Sequence, residues 1–138
     1  MRSILFIFCL LLTPTMGMSQ DANAGSVSIE LNTIKAEASA CTLTFLVTNA
    51  TEAPIEKMVF ETVLFGAAQE VQSLTLFDFG TLPPSRPRVR QFSVPNLQCN
   101  DLSRVLFNGA STCSAADATV CDALLKATTR VDGVEVLG

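Results

Sequence analysis

The run Cys41-Thr42-Leu43-Thr44-Phe45-Leu46-Val47-Thr48 decides how this chain folds. Cys41, Leu43, Phe45 and Val47 recur at every second position, with threonines at most positions between them. A period of two gives an extended strand one apolar face and one mostly polar face. Leu46 interrupts the polar face, which implies that this outer face is partly covered. Working outward, residues 49–54 (Asn-Ala-Thr-Glu-Ala-Pro) supply a turn. Residues 58–65 form a second run, apolar on both faces except at Glu61 and Thr62, as expected of a central strand. Residues 66–69 connect it to a third strand at 71–79. Gly80 and the cluster Leu82-Pro83-Pro84-Ser85-Arg86-Pro87 end that strand, because proline cannot donate to a ladder. Residues 88–94 resume a strand, bounded by Pro95. Asp101 suits the cap of a brief turn before a short strand at 105–108, and Asn108-Gly109 reads as a turn. An earlier strand lies at 27–31 and a last one at 129–136. Only 115–126 reads as helical, with Ser114 or Asp117 as cap and Val120, Ala123 and Leu124 as its apolar stripe. Short strands separated by frequent turn signals predict an all-β, Ig-like antiparallel β-sandwich of about seven strands with one short C-terminal helix. The core Trp of antibody domains is absent, so the likeness is one of architecture.

Composition narrows the chemistry. The 138 residues are 49% hydrophobic and 16% charged, with no His, Trp or Tyr. Without histidine, Ser-His-Asp and Cys-His nucleophilic sites and imidazole metal ligation are excluded. At the N-terminus, Arg2 precedes an apolar run at 4–12, which Thr13-Pro14-Thr15 interrupts. Gly17 and Ser19, or further on Ala22 and Ala24, then offer the small-residue spacing of a cleavage site. This pattern predicts a signal peptide at 1–19, with cleavage as late as 24, followed by one domain at 26–138. The apolar run is too short to span a bilayer, so no stable membrane insertion is expected after cleavage. Removing Arg2 leaves 8 basic against 13 acidic residues, a mature charge of −5. That is the wrong sign for nucleic-acid binding. The expected location is periplasmic or secreted. Oligomeric state is not encoded in any pattern here.

Four cysteines remain after cleavage: Cys41, Cys99, Cys113 and Cys121. An even number in an exported chain implies disulfides, and four cysteines allow three pairings. Cys113–Cys121 is favoured because the segment between them is short and polar enough to close on itself. That leaves Cys41 to reach Cys99. A tetrathiolate zinc site lacks the C-x-x-C spacing it needs, and no cofactor is expected.

Three candidate sites follow. Arg86, Arg88 and Arg90 alternate along an extended chain stiffened by Pro87, so they form a ladder on one face. Such a ladder suits a carboxylate- or phosphate-bearing partner, since guanidinium groups bind these bidentately. It equally suits a protected edge strand, or ion pairs with Glu61 or Asp78. Those two acids, the only ones embedded in apolar runs, are the candidates for a carboxylate-dependent hydrolase. Asn49-Ala50-Thr51 matches a glycosylation acceptor by chance. Phe45, Phe60, Phe65, Phe77, Phe79, Phe92 and Phe107 read as core.

Several stretches together resemble a family of small exported alphaproteobacterial proteins of unknown function. They are Leu31-Asn32, Ala40 to Phe45, Asn49, Val63-Leu64-Phe65, the segment from Leu82 through Phe92, Leu97-Gln98-Cys99, Arg104 to Asn108, Cys113 and Cys121. Some members of that family carry labels mentioning twin-arginine export. This chain has no Arg-Arg pair at its N-terminus, so the general secretory route is expected. The resemblance implies no activity, but it makes the arginine ladder part of the family pattern. The expected function is a non-enzymatic interaction module that binds another envelope protein, with Arg86, Arg88 and Arg90 as its contact. A binder of a small anionic or lipid-like ligand is the alternative, and the hydrolase the second alternative.

Overall fold

The computed structural model describes residues 25–138, so the expected signal segment lies outside the described residues. Eight strands follow in order: β1 (Val27–Ala36), β2 (Ala40–Asn49), β3 (Ile55–Phe65), β4 (Val71–Leu82), β5 (Arg88–Pro95), β6 (Arg104–Ala115), β7 (Leu125–Thr129) and β8 (Glu135–Leu137). A 3-10 turn (Cys99–Asp101) precedes β6, and a single-turn helix α1 (Val120–Ala123) precedes β7. One sheet has the order β5-β2-β1-β7 and the other β4-β3-β6-β8. The chain is an all-β sandwich.

Period-two patterning produces this arrangement directly. Along β2, buried and half-buried residues alternate without a break, and Cys41, Leu43, Phe45 and Val47 are fully buried. β3 lies between β4 and β6, and both of its faces are buried over much of its length. Phe45 is the hub of the core. Its ring lies 5.9–6.0 Å from those of Phe77, Phe79, Phe92 and Phe107, mostly tilted or edge-on. Such contacts join apolar burial to favourable ring quadrupole geometry. Phe65 is the exception among the strand phenylalanines. It faces outward, where the Arg104 guanidinium sits 5.5 Å from its ring centroid.

Both disulfides form as the spacing implied, Cys41–Cys99 with Cα atoms 5.1 Å apart and Cys113–Cys121 with 6.0 Å. Each links the two sheets. Cys41 on β2 reaches the turn that leads into β6, and Cys113 on β6 reaches the helix that leads into β7.

The C-terminal third differs from the sequence reading. β6 continues through Asn108-Gly109 with register shifts, because its pairing with β3 runs on to Ala115 opposite Ile55. The helix expected at 115–126 is therefore reduced to α1. Asp117 caps no helix. Its Oδ1 accepts hydrogen bonds from the Thr119 backbone N–H (2.9 Å) and hydroxyl (2.7 Å), forming a local turn. The single last strand expected at 129–136 is two strands, one in each sheet. β7 pairs parallel to β1, and β8 pairs parallel to β6, while the other pairings are antiparallel.

Candidate functional site

Asn49 anchors the proline–arginine segment. Fully buried, its side-chain amide donates to the carbonyls of Ala53 and Leu82, both at 2.9 Å. Its Oδ1 accepts from the backbone N–H and the hydroxyl of Thr51. All four hydrogen-bonding positions of the amide are thus filled. The Asn49 carbonyl also accepts from the Ser85 N–H at 2.7 Å. Asn49 is a structural peg between the β2–β3 turn and the end of β4, and its side chain is closed to modification.

From that peg the chain passes Arg86, which is exposed, and enters β5 at the outer edge of its sheet. In β5, Arg88 pairs with Val47 and Arg90 with Phe45, so both share the inward-facing register of Phe92 and Val94. Their side chains extend toward the neighbouring edge strand β4. Arg90 Nε donates to the Phe79 carbonyl at 2.7 Å and Nη2 to the Thr81 carbonyl at 3.4 Å. Between these two carbonyls lies Gly80, whose φ of +67° suits a residue without a side chain. Arg90 thus clasps the two sheets together across one side of the sandwich.

Among the described residues, the Arg88 side chain donates only to the carbonyl of Pro87, and the Arg86 side chain makes no hydrogen bond. Carboxylates pair elsewhere among the described residues: Lys35 with Glu37, Lys57 with Asp78, Arg104 with Glu135 and Arg130 with Glu30. Among the described residues, none of the three arginines of the ladder has a carboxylate partner. Glu61 accepts from the Asn108 amide on the outer face of its sheet, at 2.6 Å. Asp78 accepts from the Gly80 N–H as well as facing Lys57. The expected pairing of arginines with these acids does not occur.

Beyond the Arg90 clasp, the same side opens into a groove of about 370 Å³, lined by residues 73–77 of β4 and 91–95 of β5. Its floor is the parallel stack of Phe77 on Phe92, with centroids 4.1 Å apart. Arg90 reaches Phe79 and Thr81 while Phe92 stacks on Phe77, so β4 and β5 run antiparallel along the opening. The arginines therefore stand where β4 ends and Glu70 where it begins. Glu70 is held below the usual carboxylate range by its own backbone N–H and by the Gln72 amide, so it stays ionised. A second cleft, of about 520 Å³, lies at one end of the sandwich. Ile55, Val120 and Leu124 are among its lining, together with the acids Glu52 and Asp117. The strand phenylalanines read as core pack mainly on one another, Phe65 excepted.

The fold and these edges define a disulfide-linked, all-β sandwich with one clasped and partly open side. No family model matches the chain, and no characterised protein or solved structure is significantly similar to it. Two disulfides are compatible with an oxidising, extracytoplasmic compartment. Among the described residues, no helix is long and apolar enough to cross a membrane.

Proposed function

We propose that this chain is a non-enzymatic interaction module of the cell envelope, which binds a carboxylate-bearing segment of another envelope protein through Arg86 and Arg88. The carrying observation is that, among the described residues, neither guanidinium group has a carboxylate partner, in a chain where acids outnumber bases. The Asn49 peg and the flanking prolines hold the segment in place, which reduces the entropy lost on docking. Arg90 contributes by positioning, because its own donors are engaged on β4. The resemblance to small exported proteins points to the same compartment. A ligand-binding reading rests on the end cleft, but Glu52 and Asp117 in its lining disfavour an anionic ligand. The hydrolase reading has less support, because Glu61 and Asp78 are occupied by Asn108, Lys57 and the Gly80 N–H.

The test is affinity capture from envelope extract with the oxidised protein and with its Arg86→Glu/Arg88→Glu variant. The expected result is a protein retained by the parent and lost with the variant. Identical capture by both would contradict the reading.

A further inference from the structure

The outermost strand β4 has two unlike halves. Over its C-terminal half, Arg90 occupies the carbonyls of Phe79 and Thr81. Over 71–77, no strand, side chain or loop among the described residues takes the outer backbone groups. The stretch reads Val71-Gln72-Ser73-Leu74-Thr75-Leu76-Phe77, with no charge, proline or glycine. Such an edge is a template for pairing with another chain, and most edges carry a device against it. Here β5 has Arg88, Arg90 and Pro95 and is preceded by Pro87, while β7 and β8 are short, at 5 and 3 residues.

Side chains on both faces of this half-strand suit a neighbour. Leu74 and Leu76 project outward, 60% and 59% exposed, and Leu74 continues the apolar row that begins with Val63 on β3. Ser73 and Thr75 point the other way, into the groove beside the Phe77–Phe92 stack. These small side chains leave room between the sheets. An added strand would cover the two leucines with one set of alternate residues and seat the other set in the groove.

We propose that this open side takes up an extended segment of a partner protein as an added strand on β4 over 71–77, acidic at its end near Arg86 and Arg88 and basic at its end near Glu70. The inference rests on the interaction-module reading and names the form of the partner. Main-chain hydrogen bonds supply the affinity and the alternate pockets the specificity. Charge beyond the two ends of the groove sets the orientation: Arg86 and Arg88, without a carboxylate partner among the described residues, past the Arg90 clasp where β4 finishes, and the Glu70 carboxylate where it starts. The same charges disfavour a second copy of this chain. Antiparallel self-pairing centred on Leu74 sets Glu70 against Asp78 twice. A register centred on Thr75 keeps only 73–77, since Arg90 blocks the edge beyond Phe77.

The probe is a synthetic peptide with Glu at its start, about seven alternating valines and threonines spanning ~23 Å, and Lys at its end. It is titrated into the oxidised protein by calorimetry and by amide hydrogen exchange. The expected result is saturable one-to-one binding that slows exchange within 71–77. N-methylating every second peptide amide should weaken binding by about tenfold or more, since each lost main-chain bond leaves a desolvated group. Replacing both charged ends by Gln, or making Leu74→Lys/Leu76→Lys in the protein, should weaken it several-fold. No binding up to millimolar peptide, undiminished binding of the N-methylated peptide, or binding without protection of β4 would overturn the proposal. So would a dimer of the protein alone that Leu74→Lys/Leu76→Lys abolishes, because the occupant would then be a second copy. If Arg86→Glu/Arg88→Glu abolishes envelope capture while no peptide protects β4, the module reading stands and strand addition fails.

Discussion

The two long sides of the sandwich are closed by different means. On the β7/β8 side, Cys113–Cys121 ties β6 of one sheet to the helix that leads into β7 of the other. Gly138 packs so tightly there that a Cβ would stand 2.5 Å from a methyl carbon of Leu125. On the β4/β5 side the chain crosses between the sheets at residues 83–87, and no disulfide joins the two strands. Arg90, the Asn49 peg and the contacts of Phe92 with Phe77 and Phe79 hold the sheets at that flank, and beyond them the groove stays open. A flank held by a removable side chain can admit a strand, whereas one held by a disulfide and close backbone packing cannot. The difference leaves one side rigidly closed and the other with a bare strand edge.

The harshest way to break this contrast is Phe77→Ala. It removes a ring that is 2% exposed and half of the groove floor, and should cost about 3 kcal/mol or more in denaturant unfolding. Next is the paired change Cys113→Ala and Cys121→Ala. Closing a loop with a sequence separation of 8 is worth about 2.5 kcal/mol in the chain-entropy model. The loss should loosen α1 and β7 and leave β4 and β5 unchanged, as read by residue-resolved exchange. Arg90→Met keeps the apolar stem but removes the donors to Phe79 and Thr81, at a cost of about 1–2 kcal/mol. Its effect should be confined to the β4/β5 side.

The smallest effect concerns pH on the closed side. The Thr119 hydroxyl, and then its backbone N–H, hold the Asp117 carboxyl below its ordinary pKa of 3.8. A lowered native pKa means that the ionised form favours the fold. The contribution is complete above the ordinary value and is lost as pH falls through the lowered native one. An NMR titration should show the Thr119 amide shifting only below about pH 4, the ordinary carboxylate range. A midpoint above that range would contradict the turn geometry.

Much of the fold was legible because strand patterning has a short period. The alternation of Cys41, Leu43, Phe45 and Val47 identified both the strand and its buried face. The brevity of the 113–121 segment identified one disulfide and, by elimination, the other. The C-terminal third was less legible because its structure is imposed by distant partners. Asn108-Gly109 carries a turn signal, yet pairing with β3 holds it in a strand. Residues 115–126 have a helical pattern, yet the Asp117 turn and the pairing of Leu125 with Val27 leave room for only one turn of helix.

At the candidate site, the period of two placed Arg88 and Arg90 on one face. It could not show that this face points inward at a sheet edge, because that depends on what lies across the opening. Nor did local sequence reveal the bare half of β4 as an edge, since edge position is a property of strand order. The absence of charge and proline from 71–77 was the only signal available, and it equally fits a central strand.

The central claim is that the β4/β5 side is secured at one end by the Arg90 clasp beside the Asn49 peg and open at the other, independently of the disulfide-closed side. Amide hydrogen exchange of the oxidised protein and its Arg90→Met variant tests this most directly. The predicted result is that about every second amide in 72–76 of the parent exchanges rapidly, as an unpaired sheet edge requires. The variant should extend rapid exchange along β4 toward Leu82 and along β5, with β7 and β8 unchanged. Slow exchange throughout 72–76 in the parent, or equal acceleration on both sides in the variant, would contradict the account.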